Sequence, residues 1–178
     1  LLTIVDKNPL GLEKRIEKKN SLGETVQLSE IFYNSHGEKA KRQETVFFQG
    51  KALKKIATVW EYDPFGRLGR LIEAKGSSDE RATSIAYNAK GQKEAVTRSS
   101  GRKILYEYDT LGRLSRWSSG DRSFDYRYSY DSMDNPVSVY DALYQVTMHK
   151  SYDLENRLIA EEQYSGVIRY AYDGMGRV

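Results

Sequence analysis

The sequence predicts an all-β chain: an antiparallel meander of β-hairpins, one about every 20–25 residues, curling into a ribbon or spiral shell segment. Three observations predict it. An octapeptide recurs as EYDPFGRL (61–68), EYDTLGRL (107–114), SYDLENRL (151–158) and AYDGMGRV (171–178). Apolar and polar residues alternate strictly before the copies. Ser/Gly clusters punctuate the chain between them.

Residues 1–30 form a degenerate, repeat-like segment, and residues 31–178 form the repeat proper. Within the first segment, LEKRIEKKN (12–20) has the helix propensity for a turn or two. A neighbouring turn signal leaves a strand equally open. KNSLGE (19–24) keeps the repeat's turn, with Lys19 where later copies have Tyr. From there the repeat is marked by Tyr33, Tyr62, Tyr87, Tyr108, Tyr130, Tyr152 and Tyr172. The spacings are 29, 25, 21, 22, 22 and 20 residues. Each Tyr is followed by Asp or Asn: Asp63, Asp109, Asp131, Asp153 and Asp173 in the closer copies. Four positions after the Tyr stand Gly37, Gly66, Gly91, Gly112, Asp134, Asn156 and Gly176. Gly, Asn and Asp tolerate positive φ, and Asx side chains bond backbone two residues on. These are the requirements of a type I turn closed by a left-handed residue, a common hairpin loop. Pro64 fits the second position of such a turn.

Strands flank each turn. Ile56-x-Thr58-x-Trp60-x-Tyr62, Ile104-x-Tyr106-x-Tyr108, Phe124-x-Tyr126-x-Tyr128-x-Tyr130 and Ile168-x-Tyr170-x-Tyr172 lead in. RLSRW, PVSVY and RLIAE lead out as shorter return strands. KGSSDE, RSSG, SSGD and YSG are the second class of turn. Two strands of ~7 residues and two turns of ~4 account for the period. About fifteen strands spaced ~4.8 Å apart would span over ~70 Å, and twist keeps such a sheet from lying flat. Both ends would expose unpaired edges, so edge-to-edge self-association is expected of an excerpt. With no initiator Met, and a last copy that stops just after its turn, the sequence reads as a piece of a longer array.

Composition narrows function. Hydrophobic residues make up 39% and mean hydropathy is −0.70, yet 14 Tyr and 2 Trp argue against disorder. There is no Cys, which excludes zinc fingers, disulfide frameworks and thiol nucleophiles. Net charge is +3, with the basic excess confined to residues 1–55, so no nucleic-acid footprint is expected. No apolar run is long enough to span a membrane as a helix, and LLTIVDKNPLGL is not a signal peptide.

These residues resemble the YD repeats of Rhs proteins, teneurins and the shell components of Tc toxins. Tyr62–Leu68, Tyr108–Leu114 and Tyr172–Val178 carry the likeness best. Tyr152–Leu158 has Asn156 for Gly, and the copies at Tyr33, Tyr87 and Tyr130 are degenerate. The resemblance implies a β-ribbon spiralling into a hollow shell that, in bacterial relatives, encloses a C-terminal toxin domain. It implies a bacterial protein, secreted or at the cell surface, whose partner is the rest of its own longer chain. The family's self-cleaving segment has no counterpart here.

No catalytic constellation, cofactor fingerprint or metal set is found, so the expectation is a non-enzyme without cofactors. His36 and His149 are isolated. The Tyr stripe could stack on a glycan, which makes a carbohydrate-binding or adhesion module the alternative. Its regular recurrence favours cross-strand packing. Asp63/Arg67, Asp109/Arg113, Asp153/Arg157 and Asp173/Arg177 recur at one spacing. The Asp is expected to cap its turn and the Arg to reach along the ribbon to a neighbouring repeat.

Overall fold

A computed structural model describes residues 1–163 and 165–178 of the 178. It is all-β. The strands are β1 (Leu2–Lys7), β2 (Glu13–Lys19), β3 (Thr25–Tyr33), β4 (Lys39–Phe48), β5 (Lys51–Tyr62), β6 (Leu68–Glu73), β7 (Arg81–Tyr87) and β8 (Lys93–Arg98). They continue as β9 (Lys103–Tyr108), β10 (Leu114–Ser119), β11 (Asp125–Tyr130), β12 (Pro136–Asp141), β13 (Val146–Tyr152), β14 (Leu158–Gln163) and β15 (Gly166–Arg169). All fifteen form one antiparallel sheet in sequence order, so the meander expected from the repeat is the observed fold. The sheet is open, with β1 and β15 as its edge strands.

Of residues 12–20, open between helix and strand in the sequence, Glu13–Lys19 are β2. The pairing decides it: Ile16 sits between Val5 on β1 and Ser29 on β3, and both ladders satisfy backbone that a helix would satisfy alone. The last strand is shorter than its alternation predicted. β15 stops at Arg169, and Tyr170 and Tyr172 lie beyond it, although the Tyr170 N–H still donates to the Ile159 carbonyl. Among the described residues β15 pairs with β14. The Ser/Gly turn expected at 164–166 includes Tyr164, which lies outside the described residues.

The chain divides into two compact units. Unit 1 is residues 1–85 with 98–100, and unit 2 is residues 86–97 with 101–178. In unit 1, β3, β4 and β5 run 9, 10 and 12 residues. This explains the long first spacing, because the hairpin between Tyr33 and Tyr62 is simply taller. In unit 2, β9 to β12 are six residues each, which sets the tighter period.

Burial is thin, as a single layer of sheet dictates. Among the described residues Ile31, Ile72 and Ala95 are the buried apolar ones, at 4%, 3% and 7% exposure, and none of the larger side chains is fully buried. In unit 2 one face gathers Trp117, Phe124 and Tyr126, with ring centroids 4.6 to 6.1 Å apart. The opposite face is charged: Arg116 holds Asp125 with two 2.8 Å bonds and Glu107 with one of 2.9 Å. Strand alternation separates the two sets.

Candidate functional site

The repeat-defining residues assemble at one kind of turn. The Asp63 N–H donates to the Arg67 carbonyl (2.8 Å), and the Gly66 N–H to the Asp63 carbonyl (3.0 Å). Asp63 Oδ1 accepts from the N–H groups of Phe65 and Arg67, both at 2.9 Å. Arg67 Nε closes the loop on Asp63 Oδ2 at 2.7 Å. The same geometry recurs at Asp109–Arg113, Asp153–Arg157 and Asp173–Arg177. The residue four after each Tyr has positive φ at all seven positions, from 61° at Asn156 to 87° at Gly112. Asp134, at 66°, shows that a non-Gly residue suffices.

The first and fifth turn positions are matched chemically. Where the first is Asp, the fifth donates: Arg67, Arg113, Arg157, Arg177, or Asn135 to Asp131 at 3.1 Å. Where the first is Asn, the fifth accepts: Glu24 from Asn20 (2.9 Å), Glu38 from Asn34 (2.7 Å) and Gln92 from Asn88 (3.2 Å). The degenerate copies at Tyr33 and Tyr87 therefore keep the turn's hydrogen bond by exchanging donor and acceptor together, and the copy at Tyr130 keeps it with Asn135 in place of Arg.

These bonds set the local electrostatics. Burial pushes the Asp63 and Asp109 carboxyls up, but their Arg partners and turn N–H groups together hold them below the usual carboxylate range. At Asp131, Asp153 and Asp173 the fifth residue's N–H is the largest cause of the same lowering. The guanidinium groups of Arg113 and Arg157 are held further towards the charged form, first by Asp109 and Asp153.

Six of the marker Tyr residues then tie their repeat to the preceding one. The hydroxyl of Tyr33 donates to the Glu13 carbonyl (2.8 Å), and that of Tyr62 to Lys39 (3.0 Å). Tyr108 donates to Lys93 (2.9 Å), Tyr130 to Leu114 (2.8 Å), Tyr152 to Pro136 (3.2 Å) and Tyr172 to Leu158 (2.8 Å). The acceptor is always the second residue after the positive-φ position of the preceding turn. Beside the Tyr the ladder skips one residue: Glu61 pairs Arg70 while Tyr62 pairs Leu68, and Ser129 pairs Ser138 while Tyr130 pairs Pro136. Such a bulge strengthens local twist and re-aims the flanking side chain. Burial pushes the Tyr62, Tyr108 and Tyr130 hydroxyls up. Tyr87 closes β7, one residue before the Asn88 turn.

The Arg reaches its own Asp first and, in unit 2, the next turn as well. Arg113 Nη1 donates to the Asp131 carbonyl (3.1 Å) and to Asp134 Oδ1 (2.8 Å), and its guanidinium lies 4.7 Å from the Tyr130 ring centre. Arg157 lies 4.9 Å from that of Tyr172. Gln92 reaches the Gly112 carbonyl (2.7 Å), and Asn135 reaches Asn156 (3.0 Å). Sequence reasoning missed one turn of the same kind. Asn8 Oδ1 accepts from the N–H groups of Leu10 and Leu12, with Gly11 at φ 77°. Asn-Pro-x-Gly was the available signal, obscured by Lys7 in the Tyr position. The Asn20 turn is of this type but joins β2 to β3, and so sits at the opposite end of the strands.

No catalytic grouping forms among the described residues. His149 lies between Ser138 and Glu162 on adjacent strands, but no hydrogen bond joins it to either. No cluster of three or more potential metal ligands exists among them. Unit 1 has an open groove of ≈ 580 Å³ lined in part by His36, Glu38, Trp60, Tyr62 and Phe65. The site's chemistry is cohesion, from carboxylate to turn, turn to turn, and Tyr to the preceding strand.

No protein-family model matches the sequence, and no curated protein matches it. Solved structures do. The crystal structure of TcdB2-TccC3-TEV superposes with a TM-score of 0.68 over 98% of this chain, at 13% identity. That of TcdB2-TccC3 without its hypervariable C-terminal region does so at 0.66, again over 98% and at 13% identity. The chain spans 11% of each of those chains. It therefore shares its fold with a short stretch of these much longer chains.

Proposed function

We propose that the chain is a wall segment of a bacterial Rhs/YD-repeat protein, part of a β-shell that encloses a C-terminal toxin or effector domain. The observation that carries the reading is the fold shared along nearly its whole length with the TcdB2-TccC3 proteins. The row of Tyr-to-carbonyl bonds and linked turns supports it, because a wall must resist local opening. In this reading the partner is the remainder of the same long polypeptide, exported or held at the cell surface. The chain does no chemistry itself and takes no cofactor.

Limited proteolysis of the full-length protein tests it. A C-terminal domain that stays uncleaved while the wall is intact, and is cut once Asp109→Ala and Asp153→Ala weaken the wall, is the expected result. A C-terminal region cut at the same rate in both proteins overturns it. The ≈ 580 Å³ groove with Trp60 and Phe65 is what favours a glycan-binding module instead. Glycan-array binding lost in Trp60→Ala would establish that reading.

A further inference from the structure

We propose that unit 1 carries a docking groove for an extended, carboxylate-rich polypeptide segment, held by Lys41, Lys55 and Lys75. The groove measures ≈ 380 Å³ and is lined by these lysines with Gln43, Ala57 and Val59. It lies on the face opposite Trp60 and Tyr62, because Lys41 pairs Val59, Gln43 pairs Ala57 and Thr45 pairs Lys55 across β4 and β5.

Three features mark it as more than a solvated surface. First, the charge is unmatched. No carboxylate lines the groove, and among the described residues none of the three lysines is in an ion pair. Nearby carboxylates are held by other groups: Glu61 faces Arg70 (3.8 Å), while Glu30 and Glu80 keep their charge but are oriented by the Gln43 amide (3.1 Å) and the Gly76 N–H (2.8 Å). Second, the lysines are placed by backbone. The Lys75 N–H donates to the Ala57 carbonyl (2.8 Å), so the β6–β7 turn folds back beside β5. The Lys41 ammonium lies 5.6 Å from the Phe32 ring centre. Third, the spacing fits a strand. Lys41 and Lys55 stand four residues apart along paired strands, about 13 Å. Carboxylates at positions i and i+4 of an extended segment have the same spacing. Ala57 and Val59 give its intervening side chains an apolar floor. The lining offers no guanidinium fork for phosphate and no aromatic face for bases, which favours carboxylate over nucleic acid. The proposal does not depend on the shell reading.

The test is fluorescence anisotropy of the 178-residue chain with a labelled decapeptide of alternating Glu and Ser, an all-Ser decapeptide and a ten-nucleotide oligo-dT. The Glu peptide is expected to bind, to weaken at least tenfold between 20 and 200 mM NaCl, and to weaken at least tenfold in Lys41→Gln/Lys55→Gln/Lys75→Gln. The control Lys51→Gln/Lys54→Gln/Lys103→Gln should retain binding within twofold. Circular dichroism establishes that both variants fold, and a single Lys41→Glu reversal replaces the triple variant if that one does not. Equal affinity for the all-Ser peptide, affinity unmoved by the groove substitutions, or tighter binding of oligo-dT overturns the proposal.

Discussion

Units 1 and 2 hold the same architecture together by different means. Unit 1 has tall hairpins, reaching 12 residues in β5, and two of its turns pair Asn with Glu. Unit 2 has strands of four to seven residues, whose turns mostly pair Asp with Arg and reach the next turn through Gln92, Arg113 and Asn135. A long strand accumulates ladder bonds and cross-strand pairs, each worth ~0.2–1 kcal/mol. A short strand has fewer, so its turn bonds carry a larger share. The repeat thus tightens where the turns become more ionic.

The strongest way to break this contrast is at a positive-φ glycine. Gly112 has φ 87°, and a Cβ there would stand 3.4 Å from Gln92 Nε2, the atom that links the two turns. Gly112→Val is expected to cost about 1–3 kcal/mol from backbone strain alone. It would also displace the Gln92 bond. Gly37 has φ 81° with nothing within 4 Å of its would-be Cβ, so Gly37→Val pays for strain only. Urea unfolding followed by amide exchange in each unit should show the larger loss at Gly112.

The turn chemistry was the most legible part of the sequence, because a positive-φ position restricts residue type locally. Asp134 and Asn156 were identified without Gly, from tolerance of the left-handed region alone. The strands were legible as alternation, as in Ile104, Tyr106 and Tyr108 on one face of β9. What was hidden depended on partners. Residues 12–20 carry helix propensity, and only β1 and β3 on either side make them a strand. Asn8 escaped because Lys7 replaces the Tyr that marked the other turns. The matching of first and fifth turn positions needed Asn34–Glu38 and Asp109–Arg113 to be seen as the same geometry with donor and acceptor exchanged.

Acid should separate the units next. Asp109, Asp131, Asp153 and Asp173 are held below the ordinary carboxylate value of 3.8, and Asp121 is lowered to about 2, first by the Ser119 hydroxyl. A lowered folded-state pKa stabilises the fold above the unfolded value, and that stability is lost as pH falls through the folded one. Stability of unit 2 should therefore drop between about pH 4 and pH 2. Unit 1 has Asp63 alone among its turns in this class, and its Asn20 and Asn34 do not titrate. Amide exchange through that window should show unit 2 opening first.

Exchanging the turn pairs sharpens the comparison further. Asn34→Asp would set a carboxylate against Glu38 Oε2, now 2.7 Å from Asn34 Nδ2. The variant should lower the melting midpoint at pH 7 and recover below pH 4, where one of the two acids protonates. Adding Glu38→Arg should restore the midpoint at pH 7 by recreating the unit 2 pair. A double variant no more stable than Asn34→Asp alone would mean that the two turn types are not interchangeable.

The smallest expected effect is the removal of one Tyr hydroxyl. Tyr130→Phe deletes the 2.8 Å bond to the Leu114 carbonyl but keeps the ring under the Arg113 guanidinium. The expected cost is about 0.5–1.5 kcal/mol, because the carbonyl loses a partner in a half-buried setting. Tyr33→Phe deletes the equivalent bond to Glu13 where the hydroxyl is exposed, and water can replace it. Its cost should fall at the bottom of that range. If the hydroxyl row is a general device that joins repeats, both substitutions should raise amide exchange at the preceding return strand, β10 for Tyr130 and β2 for Tyr33. An effect confined to the substituted strand would mean that the Tyr acts through its ring alone, and that cohesion between repeats rests on the backbone ladder and the turns.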